Sequence, residues 1–213
     1  MKRLCKGLLL CVAGVVFSQP SLLRAEVPAS CTFDRNALLA LDEQHFDQDM
    51  SNGGSGWRAL ARKPECQLAA ADLLRDYRAA HNTQSGILFW HEGQLRAMSG
   101  DYSAAISLLE KSRKPISEDQ AGWNAYVDAT VAFLRKDRPA LEAARSRLVE
   151  VKPNADTEIK DGFIEGHMAD GRIAKFAWPP NLDVVDGLRR CFDKPYAAAY
   201  GGECRVPAHA IDK

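Results

Sequence analysis

The sequence has 213 residues, and its 28 lysine and arginine side chains balance 28 aspartate and glutamate side chains, so the formal net charge is zero with histidine neutral. The basic side chains are scattered among acidic ones, and no basic stripe carries interleaved aromatic residues, which argues against nucleic acid as a partner. The chain is long enough to form one compact domain with a real hydrophobic core.

The first 25 residues have the pattern of a secretory signal peptide. Three basic residues lie among the first six, and Gly7–Phe17 form an apolar run that is too short to span a bilayer. Cleavage is expected at Ala25 or within several residues of it. The mature chain, residues 26–213, would then carry a net charge near −4 and no further apolar run of membrane-spanning length. We predict an exported protein that is periplasmic or secreted.

Four cysteines remain after this cleavage, namely Cys31, Cys66, Cys191 and Cys204. An even number in an exported chain predicts two disulfides. Of the three possible pairings, Cys31–Cys66 with Cys191–Cys204 is favoured, because short loops close at the least entropic cost and each bond would staple one end. A metal site is a rival interpretation, but the sequence has no C-x-x-C pair and no histidine at ligand spacing. Lipidation of Cys31 is another, although the three residues before it fit a lipobox poorly.

A first helix is predicted over Asn36–Asp49 from its apolar spacing. His45 could belong to an acid–base or metal cluster with Asp47 and Asp49, but residues two apart on a helix point in different directions, so a solvated helix end is the favoured interpretation. The sequence SNGGSG follows at 51–56. We predict a flexible connector there, because the Lys and Ser or Thr of a phosphate-binding loop do not follow the glycines.

Five helices are predicted between residues 67 and 150 from apolar residues at helical spacing. The first covers Gln67–His81. Gly100–Asp101 supply a helix stop followed by an N-cap, and so divide the second helix from the third. Ser117 opens the fourth helix through a capping box, and Asp137 caps the fifth.

The segment Ile87–Pro115 resembles a tetratricopeptide repeat, the 34-residue pair of helices that stacks into a solenoid. On that pattern Phe89 takes the first aromatic position and Gly93 the small residue where the two helices cross. Ala105 is the small residue of the second helix, and Gly100–Tyr102 match the turn between the helices.

Three positions depart from the pattern of the repeat. Glu92 stands where leucine is usual, Arg96 where an aromatic or apolar residue is usual, and Ser112 where alanine is usual. Helical positions of the neighbouring segments align with this repeat at offsets of 34 and 36 residues, although the residue types at the aligned positions differ. The resemblance implies an all-α, single-domain fold: a short array of antiparallel helix pairs, with core repeats at about 67–150, forming a solenoid similar to those of tetratricopeptide proteins.

The C-terminal segment is predicted to be rich in loops. Residues 154–180 contain glycines and prolines without a sustained period, which indicates a long loop laid across the array, with a short helix near Asp161–Met168. Asn181 is expected to cap a last helix that ends at Cys191, and Pro195–Tyr200 a further helical turn. The predicted Cys191–Cys204 disulfide would fix the residues that follow this turn to the last helix.

No local catalytic motif emerges from the sequence. His91 and Glu92 begin like a zinc-protease helix, but Leu95 stands where the second histidine is needed. Glu165 and His167 could form an acid–base cluster, although a surface position in a glycine-rich loop is favoured. No nucleophile elbow surrounds a serine, and strands and helices do not alternate as in a nucleotide-binding fold. We predict a non-catalytic protein without cofactor or metal; an enzyme built from distant residues is the alternative.

The resemblance implies that a protein or peptide partner binds in the groove lined by the first helix of each pair, and that the protein serves as a scaffold in the cell envelope. The groove positions that the resemblance assigns to partner binding are Trp90, Gln94, Met98, Trp123, Tyr126 and Thr130.

Two alternatives to this open groove are considered. The aromatic residues could be core, covered by the N-terminal helix, the loop or the last helix, so that the groove is filled by the chain itself. The protein could also be a structural subunit of an envelope complex that uses its outer face. An exposed apolar patch of several hundred Å² would favour either binding interpretation over the filled groove.

Overall fold

The computed structural model of the chain describes residues 28–51, 54–167 and 173–205. Helices predominate in these residues, and they are accompanied by one two-stranded antiparallel sheet. The prediction of a largely all-α protein is therefore confirmed. The expected signal segment, Met1–Ala25, lies outside the described residues.

The N-terminal part contains two short helices, α1 (Arg35–Leu39) and α2 (Gly56–Ala61), with a π-helical turn over Gln44–Gln48 between them. The prediction of one continuous helix over Asn36–Asp49 was wrong. The Asp42 carboxylate accepts a hydrogen bond from the backbone amide of His45 at 2.8 Å and so starts a new turn, as side chains that compete for backbone donors do.

Helix α2 was not predicted, and it begins at the last residue of the glycine-rich sequence 51–56. Gly56 has a φ of +53°, and a Cβ at this position would overlap the carbonyl group of Phe46. Only glycine fits so close to another backbone in this conformation. The close approach brings the π-helical turn against α2.

The five helices predicted between residues 67 and 150 are all present. They are α3 (Gln67–Ala80), α4 (Gly86–Met98), α5 (Tyr102–Lys111), α6 (Trp123–Leu134) and α7 (Arg138–Val149). Asp101 and Asp137 accept hydrogen bonds from the amides of Ala104 and Ala140, so both are N-caps as predicted.

The start of α6 differs from the prediction, because Ser117 does not cap it. Ser117 lies in a 3₁₀ turn over Ile116–Glu118, and α6 begins at Trp123. Gly122 precedes the helix in the left-handed conformation, with a φ of +73°, and a Cβ on it would lie 2.7 Å from a methyl carbon of Val151. The turn therefore needs glycine at 122, and this fixes the start of the helix.

Successive helices of the array pack on one another, most extensively α3 with α4, α4 with α5, and α6 with α7. Gly93 lies where α4 crosses α5, since a Cβ there would lie 3.0 Å from the side chain of Leu109 and 3.2 Å from the carbonyl oxygen of Ala105. Two apolar clusters result. One joins α2 and α3 to one side of α4, and the other joins α4, α5, α6 and α7 to the C-terminal helices.

The C-terminal segment contains a β-hairpin, formed by β1 (Phe163–His167) and β2 (Ile173–Ala177). The prediction of a short helix near Asp161–Met168 was therefore wrong. Ile and Phe residues favour strands, whereas the glycines of this segment weaken a helix. The backbone amide of Trp178 donates to the carbonyl of Gly162 at 2.9 Å and closes the base of the hairpin.

The last two helices, α8 (Leu182–Arg190) and α9 (Tyr196–Tyr200), agree with the prediction. Asn181 occupies the N-cap position of α8 but makes no side-chain capping bond. Helix α8 packs on α6 and α7, and α9 packs on α8 and α4. The C-terminal helices thus return to the middle of the array.

Both favoured disulfides are present, Cys31–Cys66 and Cys191–Cys204, with Cα–Cα distances of 5.4 and 6.0 Å. The first joins the 3₁₀ turn over Ala29–Cys31, here called the N-terminal turn, to the start of α3. The second joins the end of α8 to the residues after α9. Among the described residues, no helix combines the length and the apolar character that crossing a bilayer requires.

Candidate binding site on the inner face of the array

A buried carboxylate, Asp47, lies where the π-helical turn meets α2 and α4. Its Oδ1 accepts hydrogen bonds from Trp57 Nε1 at 2.6 Å and from His91 Nδ1 at 2.7 Å, and the Gln48 amide donates to Oδ2. An ionised carboxylate only accepts hydrogen bonds, so the proton of the neutral His91 ring lies on Nδ1. Three segments of the chain are therefore joined at one side chain.

The charge of Asp47 is maintained by its neighbours. Burial alone would raise the pKa of the Asp47 carboxyl, but the hydrogen bonds from His91 and Trp57 and the charge of Arg58 together hold this pKa below its usual value. Asp47 is therefore ionised at neutral pH, and its negative charge is compensated inside the fold.

Arg58 of α2 is held in one position by the same cluster. Its Nε donates to the carbonyl oxygen of Asp47 at 2.8 Å, its Nη2 lies 3.4 Å from His91 Nε2, and its guanidinium carbon lies 4.3 Å from the centre of the Trp57 ring. These two hydrogen bonds use two of the five N–H donors of a guanidinium. The side chain is 21% exposed. Arg58 is thus an ordered cation that keeps access to solvent.

His91 supports Arg58 rather than a nucleophile. With the proton on Nδ1, its Nε2 accepts from Arg58, and the hydrogen bonds described for this ring go to a carboxylate and a guanidinium. A general base would need Nε2 within reach of the proton that it removes. The geometry therefore favours positioning of Arg58 over acid–base chemistry.

The predicted groove residues meet in the interior. Trp90, Tyr126 and Thr130 are buried, whereas Gln94, Met98 and Trp123 are half-buried. The Trp90 ring centre lies 4.8 Å from that of Trp123 and 4.7 Å from that of Tyr126. The structure thus gathers the aromatic members into one packed cluster between α4 and α6.

The C-terminal helices cover this aromatic cluster. Val185, Leu188 and Tyr196 are fully buried and belong to the same apolar core as Trp90 and Tyr126. The backbone amide of Tyr196 donates to the Tyr102 hydroxyl at 3.1 Å, which ties α9 to the start of α5. The part of the inner face formed by α6 is therefore occupied by the chain itself.

Burial changes the phenols beneath the C-terminal helices. It raises the pKa of Tyr126 well above the usual value for a phenol. It also raises that of Tyr196, reinforced by Tyr200 and opposed in part by the nearby Gln94 amide. The Tyr196 hydroxyl has no hydrogen-bond partner among the described residues. Both phenols are neutral and enclosed, as expected of core residues.

Sequence reasoning missed the Asp47 cluster. Asp47 was assigned to a solvated helix end, but its side chain is fully buried, and no role was predicted for Trp57 or Arg58. Asp47 lies 10 residues from Trp57 and 44 residues from His91, so no local motif brings them together. His45, the proposed partner of Asp47, is exposed and pairs with Asp42 instead.

A second charged cluster lies between α3 and α4 and includes two of the departures from the repeat pattern. Glu92 is buried between Arg78, with which it forms an ion pair, and Arg96, whose Nε donates to Oε1 at 2.9 Å. Arg96 Nη2 also lies 3.0 Å from Asp72 Oδ1, and the Arg78 guanidinium stacks on the ring of Phe89. Glu92 and Arg96, which both depart from the repeat pattern, therefore neutralise each other's charge in an ion pair, which indicates a structural role.

In the part of the chain that the structure describes, no group of three or more His, Cys, Asp or Glu side chains is arranged to hold a metal ion. Comparison with family models, with curated proteins and with solved structures finds no match to this chain.

Proposed function

We propose that the protein is a non-catalytic interaction protein of the cell envelope, which holds an extended segment of a partner protein on the inner face of a short tetratricopeptide-like array. The successive packing of α2 to α7 supports this architecture. The two disulfides support an exported protein, since such bonds persist in oxidising compartments.

The position of Arg58 carries the proposal. Its guanidinium is already fixed by Asp47, His91 and the Trp57 ring before any partner arrives. A pre-organised guanidinium loses little conformational freedom when it binds a carboxylate, so more of the interaction energy appears as affinity. Arg58 would bind an acidic side chain or the terminal carboxylate of the partner segment.

The proposed surface is the α2–α4 part of the inner face. Gln94 is half-buried on α4, one helical turn from His91. Burial lowers the pKa of Arg58, and Asp47 and the nearby Tyr200 of α9 oppose this shift. The positions predicted from the resemblance, centred on Trp90 and Tyr126, would form the packed wall beside this surface.

A structural subunit with a filled groove is the second candidate. The observation that favours it is the burial of Trp90, Tyr126 and Thr130 beneath α8 and α9. Under this alternative the Asp47 cluster only fastens the π-helical turn to α2 and α4, and Arg58 binds no partner.

Selection of displayed random peptides on the oxidised mature protein tests the proposal, with one library ending in a free carboxylate and one in an amide. We expect enrichment of acidic residues or of free carboxyl ends. Arg58→Gln should weaken the selected peptides about tenfold or more, because it removes a charged hydrogen-bond donor. Arg135→Gln, which changes an exposed arginine paired with Glu110, is the matched control and should leave affinity unchanged.

Two further measurements keep the result interpretable. Circular dichroism and thermal unfolding must show that Arg58→Gln retains the fold, and Gln94→Ala should weaken the same peptides without touching the Asp47 cluster. Selected peptides with no preference for acidic groups, or with equal affinity for both proteins, would contradict the assignment of Arg58 and favour the filled groove.

A further inference from the structure

A cavity of about 410 Å³ lies between the N-terminal turn, α1 and α2. This volume falls in the range of about 300 to 1,000 Å³ that is usual for small-molecule sites. The apolar part of its wall includes Phe33, Leu38, Ala59 and Leu60, and Lys63 lies at its polar edge. The cavity therefore offers an apolar chamber with one ammonium group, Lys63, and one carboxylate, Asp34, in its lining.

The walls of the cavity are held apart by bonds made elsewhere. The Cys31–Cys66 disulfide fixes the N-terminal turn, and the contact of Gly56 with the Phe46 backbone fixes α2. Helix α1 is tied to α3, because His81 Nε2 lies 2.8 Å from the carbonyl oxygen of Leu39 and Arg35 pairs with Asp76. Since each wall has its own anchor, the space cannot close by a simple collapse of α1 onto α2.

The charges at the edge indicate the head group of a ligand. Lys63 Nζ donates to the carbonyl oxygen of Ser30 at 2.8 Å, and an ammonium has two further donors. The carboxylate in the lining, Asp34, is the N-cap of α1, where its Oδ1 accepts from the amide of Ala37 and its charge is offset in part by the N-terminus of that helix. The ammonium is thus the group with donors left for a ligand, and it would pair with an anion.

We propose that this cavity binds a small amphipathic monoanion, with its apolar body in the chamber and its carboxylate at Lys63. The site is separate from the inner face. Gly56, Ala59 and Leu60 lie on one side of α2 and Arg58 on the opposite side, as a rotation of 100° per residue requires. Binding in this cavity is therefore independent of peptide binding at Arg58.

Titration of the oxidised mature protein with octanoate tests this site, followed by calorimetry and by NMR shifts of assigned side chains. Saturable binding with shifts at Phe33, Leu38 and Ala59 is the expected result. Neutral 1-octanol should bind about tenfold more weakly or worse, because it lacks the charge that Lys63 recognises. Octylamine, which carries the opposite charge, should also be weaker than octanoate.

Three variants separate the head-group and chamber contributions. Lys63→Gln should weaken octanoate about tenfold or more, while Lys63→Arg should retain most of the affinity. Ala59→Phe fills the chamber from an exposed position of α2 and should abolish binding with the fold intact. Lys114→Gln, a change of an exposed lysine outside the cavity lining, is the control and should bind as the unmodified protein does.

Each contrary result would overturn the inference. Equal affinity for octanoate and 1-octanol would remove the role of Lys63, and binding that survives Ala59→Phe would place the ligand elsewhere. Absence of saturable octanoate binding would leave the cavity as solvent-filled space. Peptide binding at Arg58 is measured separately, so failure here does not imply failure there.

Discussion

His91 donates a hydrogen bond from Nδ1 to Asp47 Oδ1 at 2.7 Å, although 44 residues of sequence separate the two side chains. Both side chains are largely enclosed, and Trp57 shares the same acceptor oxygen. This bond connects a turn without regular α-helix to the central helix of the array. The contact of the π-helical turn with α2 and α4, including the position of Arg58, therefore depends on one ionised carboxylate.

Asp47→Asn should lower the free energy of unfolding by about 2 to 4 kcal/mol. The amide keeps the size of the side chain but removes the charge that compensates Arg58, and its NH₂ group would face donors. Urea unfolding followed by circular dichroism measures the change. Asp42→Asn is the control, because Asp42 is exposed and asparagine can still accept the hydrogen bond from the His45 amide that starts the turn. Similar losses in both variants would contradict the account.

The stability contributed by Asp47 should disappear on acidification. Its folded pKa lies below the ordinary value, with burial opposed by His91, Trp57 and Arg58. The unfolded chain therefore binds the proton more readily, with a pKa of about 3.9. The contribution is complete above that pH and is lost as pH falls through the folded pKa. The difference in urea midpoint between the unmodified protein and Asp47→Asn should stay constant from pH 7 to about pH 5 and shrink as the pH falls below about 4; a difference that stays the same at the lower pH would contradict this.

Glu92→Leu should destabilise the protein by about 3 kcal/mol, even though leucine is the residue that the repeat pattern expects. The substitution leaves Arg78 and Arg96 half-buried without their shared carboxylate. Denaturant unfolding measures the loss. The triple variant with Arg78→Leu and Arg96→Leu removes all three charges and should recover much of the stability; if it is less stable than the single variant, the compensation argument fails.

Tyr126→Ala should cost about 3 to 5 kcal/mol of folding free energy, because it opens a cavity beneath α8 and α9. Thermal or urea unfolding measures the effect. Ile116→Ala is the control, since Ile116 is 93% exposed and contributes little to the core. A Tyr126→Ala protein of unchanged stability would indicate that the C-terminal helices do not hold this residue in the core.

Local signals predicted the central helices well. Asp101 and Asp137 cap the helices that their positions indicated, and apolar spacing identified α3 and α4. The disulfides followed from loop length. These features depend on residues that are near one another in sequence, where capping and periodicity act directly.

Features that depend on distant contacts could not be predicted in this way. The hairpin of β1 and β2 contains glycines, and its apolar and polar residues do not alternate clearly, so the sequence pattern did not predict its strands. Asp47 is buried only because Trp57 and His91 meet it from other elements. Tyr126 fits both an open groove and a core, and the burial of this position is decided by α9, whose path no local pattern specifies.

Helix α8 covers one end of the helix array. A linear stack of helix pairs ends in an unpaired apolar side, onto which another molecule could add. Here Val184, Val185 and Leu188 cover that side of α6 and α7, whereas Arg189 pairs with Glu142 of α7 and Arg190 donates to the carbonyl oxygen of Cys204. Helix α8 thus buries apolar surface of α6 and α7 that would otherwise be open to another molecule.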